Sequence, residues 1–243
     1  MTQQAALEPA GTDTQGGAMS KEGTLRRTST SHELYKRLRD RIVSMELLPG
    51  AQLSRTELAA AYGVSQTPVR DALQMLEKEG LVIVFPQSRT EVTRIDLAQA
   101  RETQFLRMSL ELEVVRTLCT QRALHAVERV ERLVQLQHTA LTVDGDLERF
   151  STLDRQFHRS MFEDAGVLDL WELVQSRSGH IDRLRNLNLM DPGKAATILV
   201  AHQEITAQMR AFDIAATQEA VRRHLSGTLA KVEDIKRAHA NYF

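Results

Sequence analysis

The sequence is short of three things, and each shortage excludes something. Cys119 is its single cysteine, so no internal disulfide can staple the fold, and a reducing compartment suits it. Its formal net charge is only −1, so no global basic field advertises a polyanionic partner. The first twenty residues hold Glu8 and Asp13 with no basic start and no sustained apolar run, which fits neither a secretory signal nor a membrane span. A cytoplasmic protein with no membrane partner is the expectation.

The 243 residues suffice for two domains, and 42% hydrophobic with 26% charged residues is ordinary for a globular chain. Charge is unevenly spread. Between 21 and 94 there are twelve Lys or Arg against nine Asp or Glu, and the remainder is acidic, so this stretch is the better partner for a polyanion. Residues 1–30 are rich in Thr, Ser, Gln, Gly and Ala, with few large apolar side chains to offset the entropy of ordering, and read as a flexible tail.

From Ser31 a periodic pattern begins. Leu34, Leu38, Ile42 and Met45 give one apolar helical face, stopped by Pro49-Gly50. Ser54 with Glu57 forms a capping-box pair opening a second short helix, which Gly63 closes. A third helix starts near Ser65, takes Pro68 in its first turn and ends at Glu79-Gly80. Val69, Ala72, Leu73 and Leu76 would pack inward, leaving Gln66, Thr67, Arg70 and Gln74 outward. Such an outward set suits base edges and phosphates, although a solvated face has the same pattern. Leu81 to Phe85 and Thr90 to Thr93 read as two strands of a hairpin. Three helices and a hairpin make a winged helix-turn-helix over 31–94.

Residues 95–243 contain no convincing strand. Asp96 opens a long helix, with Phe105, Met108, Leu112, Val115 and Cys119 as its expected inward stripe. Further helical patterns cover 126–141, 146–164, 168–190, 194–213 and 215–240, with turns at Asp144-Gly145 and Asp191-Pro192-Gly193. The fold class is thus mainly α, an amino-terminal winged domain followed by an all-helical bundle or barrel.

Polar residues interrupt those stripes. Asp154 replaces an apolar residue between Phe150 and Phe157, and His158 lies one turn on; His202 and His224 sit on two later stripes. A buried carboxylate needs a cationic partner. A divalent metal held by three imidazoles would serve, and so would an Asp–Arg pair with ordinary hydrogen-bonded histidines. His138 and His180 also lie near stripes, and His180, Arg183 and Asn186 share one helix.

Leu48-Pro49-Gly50, Glu57-Leu58-Ala59, Gly63-Val64-Ser65, Thr67-Pro68-Val69-Arg70 and Glu79-Gly80-Leu81-Val82 resemble the GntR family of bacterial transcription regulators. The resemblance implies a DNA-reading surface at Arg55, Thr56, Ser65, Gln66, Thr67, Arg70 and Arg89. It departs from the family where Thr56 and Gln66 stand for an Arg and Arg89 for a wing Gly. The second half resembles the effector domain of the FadR branch of that family, which implies an all-helical ligand-binding bundle. There an Asp, a His four residues later and two further His bind a divalent ion, positions matched by Asp154, His158, His202 and His224. Arg107 matches an Arg facing the ligand cavity, its alternative being an i,i+4 surface pair with Glu111.

The resemblance implies a homodimeric regulator, expected to be a repressor. It would read a palindromic double-stranded operator and answer to a small organic acid at Zn²⁺, Ni²⁺ or Mn²⁺. Two rivals share the same residues. One is a metal-dependent hydrolase or lyase, disfavoured because no separate general base is evident and a DNA-reading module would be superfluous. The other is a direct metal sensor, in which the ion is itself the signal. On the leading reading no enzyme activity is expected.

Overall fold

The computed structural model of the chain describes residues 22–85, 89–189 and 192–243. The expected tail lies outside these residues up to position 21, and from Glu22 the backbone is already helical. Helix α1 therefore runs Glu22–Val43, starting earlier than Ser31, since a helix anchored by packing extends at little cost. Its anchor is Leu34, Leu38 and Ile42, buried in one cluster with Val69, Ala72, Leu73 and Leu76 of α3 (Gln66–Lys78).

Between these two helices lies α2 (Arg55–Tyr62), capped by Ser54, whose Oγ accepts the Glu57 N–H at 3.3 Å. Gly63 ends α2 at φ 63°, a left-handed conformation that glycine adopts without a Cβ penalty, and sets the turn into α3. Strands β1 (Gln52–Leu53), β2 (Val82–Val84) and β3 (Thr90–Val92) form an antiparallel sheet in the order β1-β3-β2. Leu53 pairs with Thr90, and Val82 with Val92. The hairpin is as expected; β1 is not, because two residues carry no alternation to detect. Residues 86–88 of the wing lie outside the described residues.

The second half is all-helical among the described residues: α4 (Leu97–Thr120), α5 (Leu124–Thr142), α6 (Leu147–Asp164), α7 (Leu168–Arg177), α8 (Gly179–Leu189), α9 (Pro192–Ala211), α10 (Ile214–Ser226) and α11 (Val232–Ala238). Aspartates cap three of them. Asp96, Asp146 and Asp213 accept backbone N–H groups of the first turns of α4, α6 and α10. One core joins them, centred on Val115, Leu118, Phe150, Phe157, Met161, Ile205, Met209 and Val221.

Three sequence expectations need correction. Phe105 is 77% exposed, so it does not belong to the inward stripe of α4. The buried face instead carries Gln104, Arg107 and Glu111 beside Val114, Val115 and Leu118, and polar groups hide a face from an apolar pattern. The helix expected over 168–190 is two helices. Gly179 approaches the winged domain so closely that a Cβ there would lie 2.5 Å from Leu81 Cδ2. The pattern over 215–240 likewise breaks, with Gly227 closing α10 and a short 3₁₀ turn, Leu229–Lys231, leading to α11.

Helix α8 joins the two halves. His180 Nδ1 accepts the Asp96 N–H at 2.9 Å and lies 2.8 Å from Arg183 Nη2. Arg183 Nη1 donates to the Thr93 carbonyl at 2.7 Å, and Asn186 Nδ2 to the Val43 carbonyl at 2.7 Å. Ile181 and Leu184 pack with Ile95 of the linker, Ala100 of α4, and Val232 and Ile235 of α11.

Burial, and then the Arg183 charge, lower the His180 pKa from 6.5 to about 4, so its imidazole is neutral when folded. A group whose folded pKa is depressed gives stability that is full above pH 6.5 and lost as pH falls towards 4. The melting midpoint should therefore fall more steeply across that window in the wild type than in His180→Asn, whose amide oxygen accepts without titrating. Equal slopes in thermal melts would remove His180 as an acid-sensitive joint.

Candidate functional site

The four expected side chains meet. Asp154 and His158 lie one turn apart on α6, His202 comes from α9 and His224 from α10, and one ligand atom of each lies within 4.8 Å of all the others. His224 Nε2 is 3.2 Å from His158 Nε2 and 3.2 Å from His202 Nε2, and His202 Nε2 is 3.6 Å from Asp154 Oδ1. Asp154, His158 and His202 are buried, and His224 keeps partial exposure.

The far sides of two of the rings explain their orientation. His158 Nδ1 lies 2.7 Å from Glu111 Oε2, and His202 Nδ1 2.9 Å from Gln137 Oε1. Oxygen atoms at both Nδ1 positions favour the proton there, which turns bare Nε2 lone pairs towards the centre. Phe157 stacks on His202 at 4.0 Å between centroids, fixing the ring plane. Neither Glu111 nor Gln137 follows from motif spacing. Their signal was a polar residue on an inward helical face.

Burial lowers the pKa of all three imidazoles, and that of His202 reaches about 3, so they are neutral at physiological pH. Asp154 behaves oppositely. Its burial alone would raise its pKa, but the Arg185 charge foremost, and then the imidazoles, hold the carboxyl well below the usual range. Arg185 Nη2 donates to Asp154 Oδ2 at 2.6 Å. Glu111 is similar: burial is outweighed by His158 and Arg107, leaving its pKa about 2. Arg107 Nε donates to Glu111 Oε1 at 2.6 Å, so the i,i+4 pair exists but is buried.

The Asp–Arg alternative is therefore present on one oxygen of Asp154, and it leaves the other oxygen open. Oδ2 has its arginine, whereas Oδ1, turned to the imidazoles, is buried without a hydrogen-bond partner among the described residues. A carboxylate oxygen with free lone pairs beside bare imidazole nitrogens is a donor set that fits a divalent ion of the zinc, nickel or manganese kind. Arg107 Nη2 is likewise buried and unpartnered. Of the other histidines, His138 is exposed beside Thr142 and His180 serves the joint between the halves.

The amino-terminal surface has its own cluster. Arg55, Thr56, Ser65, Gln66 and Arg70 are exposed and Thr67 is half-buried, all from α2, α3 and the turn between them. Gln66 Nε2 lies 3.5 Å from Thr56 Oγ1, and Arg70 Nη2 3.5 Å from Asp71 Oδ1. Arg89 is tethered, its Nε donating to Glu91 at 3.1 Å and its guanidinium lying 4.3 Å from the Phe85 ring centroid.

A winged helix-turn-helix joined to an all-helical domain with a buried polar centre defines a DNA-binding transcription regulator. Residues 30–92 match the model of the bacterial regulatory proteins of the gntR family, and residues 102–227 that of the FCD domain. The chain is 37% identical over 209 residues to an HTH-type transcriptional regulator in an unstable DNA locus of Streptomyces ambofaciens, covering 86% of each. It is 26% identical to the HTH-type transcriptional repressor RspR of Escherichia coli K12, over 88% of this chain and 93% of that one. Among solved structures, E. coli McbR/YncC has the same fold, with TM-score 0.71 and 20% identity over 84% of this chain and 97% of that one. The chain belongs to the GntR family and carries an FCD domain. Among the described residues no helix is long and apolar enough to cross a membrane.

Glu111 has no solvent route and holds a buried cation. Glu111→Ala should cost about 3 to 5 kcal/mol in urea unfolding, because it strands Arg107. Glu111→Ala with Arg107→Met should recover much of that loss; an equally unstable double variant would rule out the stranded charge as the cause.

Proposed function

We propose that this regulator is a cytoplasmic repressor that holds a divalent ion through Asp154, His158, His202 and His224 and answers to a small organic acid. The observation that carries the reading is the unpartnered Asp154 Oδ1 among three imidazole Nε2 atoms. When bound, the ion would supply a Lewis-acidic point with coordination positions left for a ligand oxygen. The charge balance supports an anionic ligand. Asp154 and Glu111 are offset by Arg185 and Arg107. With the imidazoles neutral, a dication therefore adds uncompensated positive charge to a buried site, and a carboxylate offsets it. Arg107 Nη2 has hydrogen-bonding capacity left to clamp that carboxylate.

The reading surface is assigned to Arg55, Thr56, Ser65, Gln66, Thr67 and Arg70, with Arg89 reaching backbone or minor groove beside the wing. The DNA-binding domain spans 31–94 and the effector domain 95–243. One short helix spans too few bases for useful specificity, so two copies related by a two-fold axis would read a palindrome. Phe105 on α4, with exposed Leu170 and Leu173 on the neighbouring α7, offers apolar area for a second copy.

Mass spectrometry of the purified protein should find about one ion per chain, lost in His202→Ala. No ion in either, after loading with Zn²⁺, Ni²⁺ or Mn²⁺, would refute the metal centre. Arg70→Ala should weaken binding to an operator fragment by about 1–3 kcal/mol in fluorescence anisotropy without changing the melting midpoint. Unchanged affinity would move the reading surface elsewhere.

A further inference from the structure

Asp154 faces two ways. Oδ1 looks to the imidazoles, and Oδ2 takes Arg185 Nη2 at 2.6 Å. From Arg185 a line of alternating charges runs out of the helical domain. Arg185 Nη1 is 3.8 Å from Asp182 Oδ1. Asp182 Oδ2 accepts the Ser178 hydroxyl and lies 3.9 Å from Arg39 Nη2. Arg39 Nε donates to Glu79 Oε2 at 2.9 Å, while its Nη2 donates to the Gln175 carbonyl at 2.7 Å and to Ser178 Oγ at 3.1 Å. Glu79 is the C-cap of α3, and its second oxygen accepts the Tyr35 hydroxyl. No side chain of the five is more than 18% exposed, so solvent screens these steps far less than surface pairs.

We infer that the line Asp154–Arg185–Asp182–Arg39–Glu79 couples occupancy of the four-residue centre to the hold on the reading helix, with Arg185 and Asp182 as positioning residues. The inference rests on the proposed metal centre. The two carboxylate oxygens of Asp154 share one charge. When Oδ1 serves a cation, Oδ2 holds Arg185 less firmly, and Arg185 leans to Asp182, the next carboxylate within reach. Asp182, so satisfied, competes less for Arg39. Arg39 then belongs more fully to Glu79 and fixes the last turn of α3. The 3.8 and 3.9 Å separations are too long for hydrogen bonds and short enough to close by side-chain rotation, which is where such a line has two arrangements.

The direction is therefore set: filling the centre tightens the carboxyl end of the reading helix. Hydrogen exchange read by mass spectrometry on the full chain, stripped with chelator and then loaded with Zn²⁺ or Mn²⁺ alone, tests it. In the wild type, exchange in peptides over the last turns of α3 should slow about fivefold or more on loading, the lower bound of ordinary coupling. Asp182→Asn should still take up the ion while its slowing falls below about twofold. Arg39→Met with Glu79→Gln acts from the other end, strands no buried charge and should lose the slowing equally; circular dichroism melts confirm that each is folded. Either variant retaining the wild-type slowing, or a wild type that loads ion with no change at α3, overturns the coupling alone. A wild type that takes up no ion overturns the metal centre and the coupling with it.

Discussion

An ionised carboxylate in the middle of an apolar helical stripe costs several kcal/mol unless cations and hydrogen-bond donors meet it. Asp154 is such a group, and the arrangement of the second domain follows from it. Arg185 must come from α8, His202 from α9 and His224 from α10 to surround it. Each newcomer needs its own support. Glu111 of α4 orients His158 and is itself held by Arg107, and Gln137 of α5 orients His202. Six helices thus converge on one polar centre inside an otherwise apolar core, and loose packing of any of them would leave a buried polar group without its partner.

Helix α8 carries that constraint to the other half of the chain. One residue, Arg185, reaches inward to Asp154, while His180, Arg183 and Asn186 bond the linker and the end of α1. These are directional contacts on one short helix, so a shift of α8 relative to the centre is passed on to the winged domain. The close approach of Gly179 to Leu81 makes the joint intolerant of added bulk.

Much of this was legible in the sequence, for identifiable reasons. Cap residues such as Ser54, Asp96 and Asp146 mark helix starts because they satisfy N–H groups that have no other partner. The buried face of α3 followed from strong 3.6-residue periodicity. Asp154 and His158 could be paired from spacing because four residues is one helical turn. What stayed hidden is non-local or non-periodic. β1 exists only through its pairing with β3. The break at Gly179 lies against Leu81, a residue nearly a hundred positions away. The inward side of α4 was misread at its amino-terminal end, because Gln104, Arg107 and Glu111 are polar and Phe105 outside them is not, while Met108, Leu112, Val115 and Cys119 do pack on the core. Arg185 gave no signal, since an arginine on a helix reads as surface until its partner's position is known.

Two kinds of contact join the halves, and they differ in what they can do. The apolar contact of Leu81 with the Gly179 backbone is non-directional, so it holds the halves together but distinguishes poorly between similar arrangements. A guanidinium between two carboxylates has discrete positions, because each hydrogen bond requires a particular distance and angle. Arg39 stands between Asp182 and Glu79 in this way, and Arg185 between Asp154 and Asp182. A binding event can shift an equilibrium only by its differential free energy for two states. The apolar contact therefore helps to hold the halves together, and the charged line beside it is the part able to supply the difference.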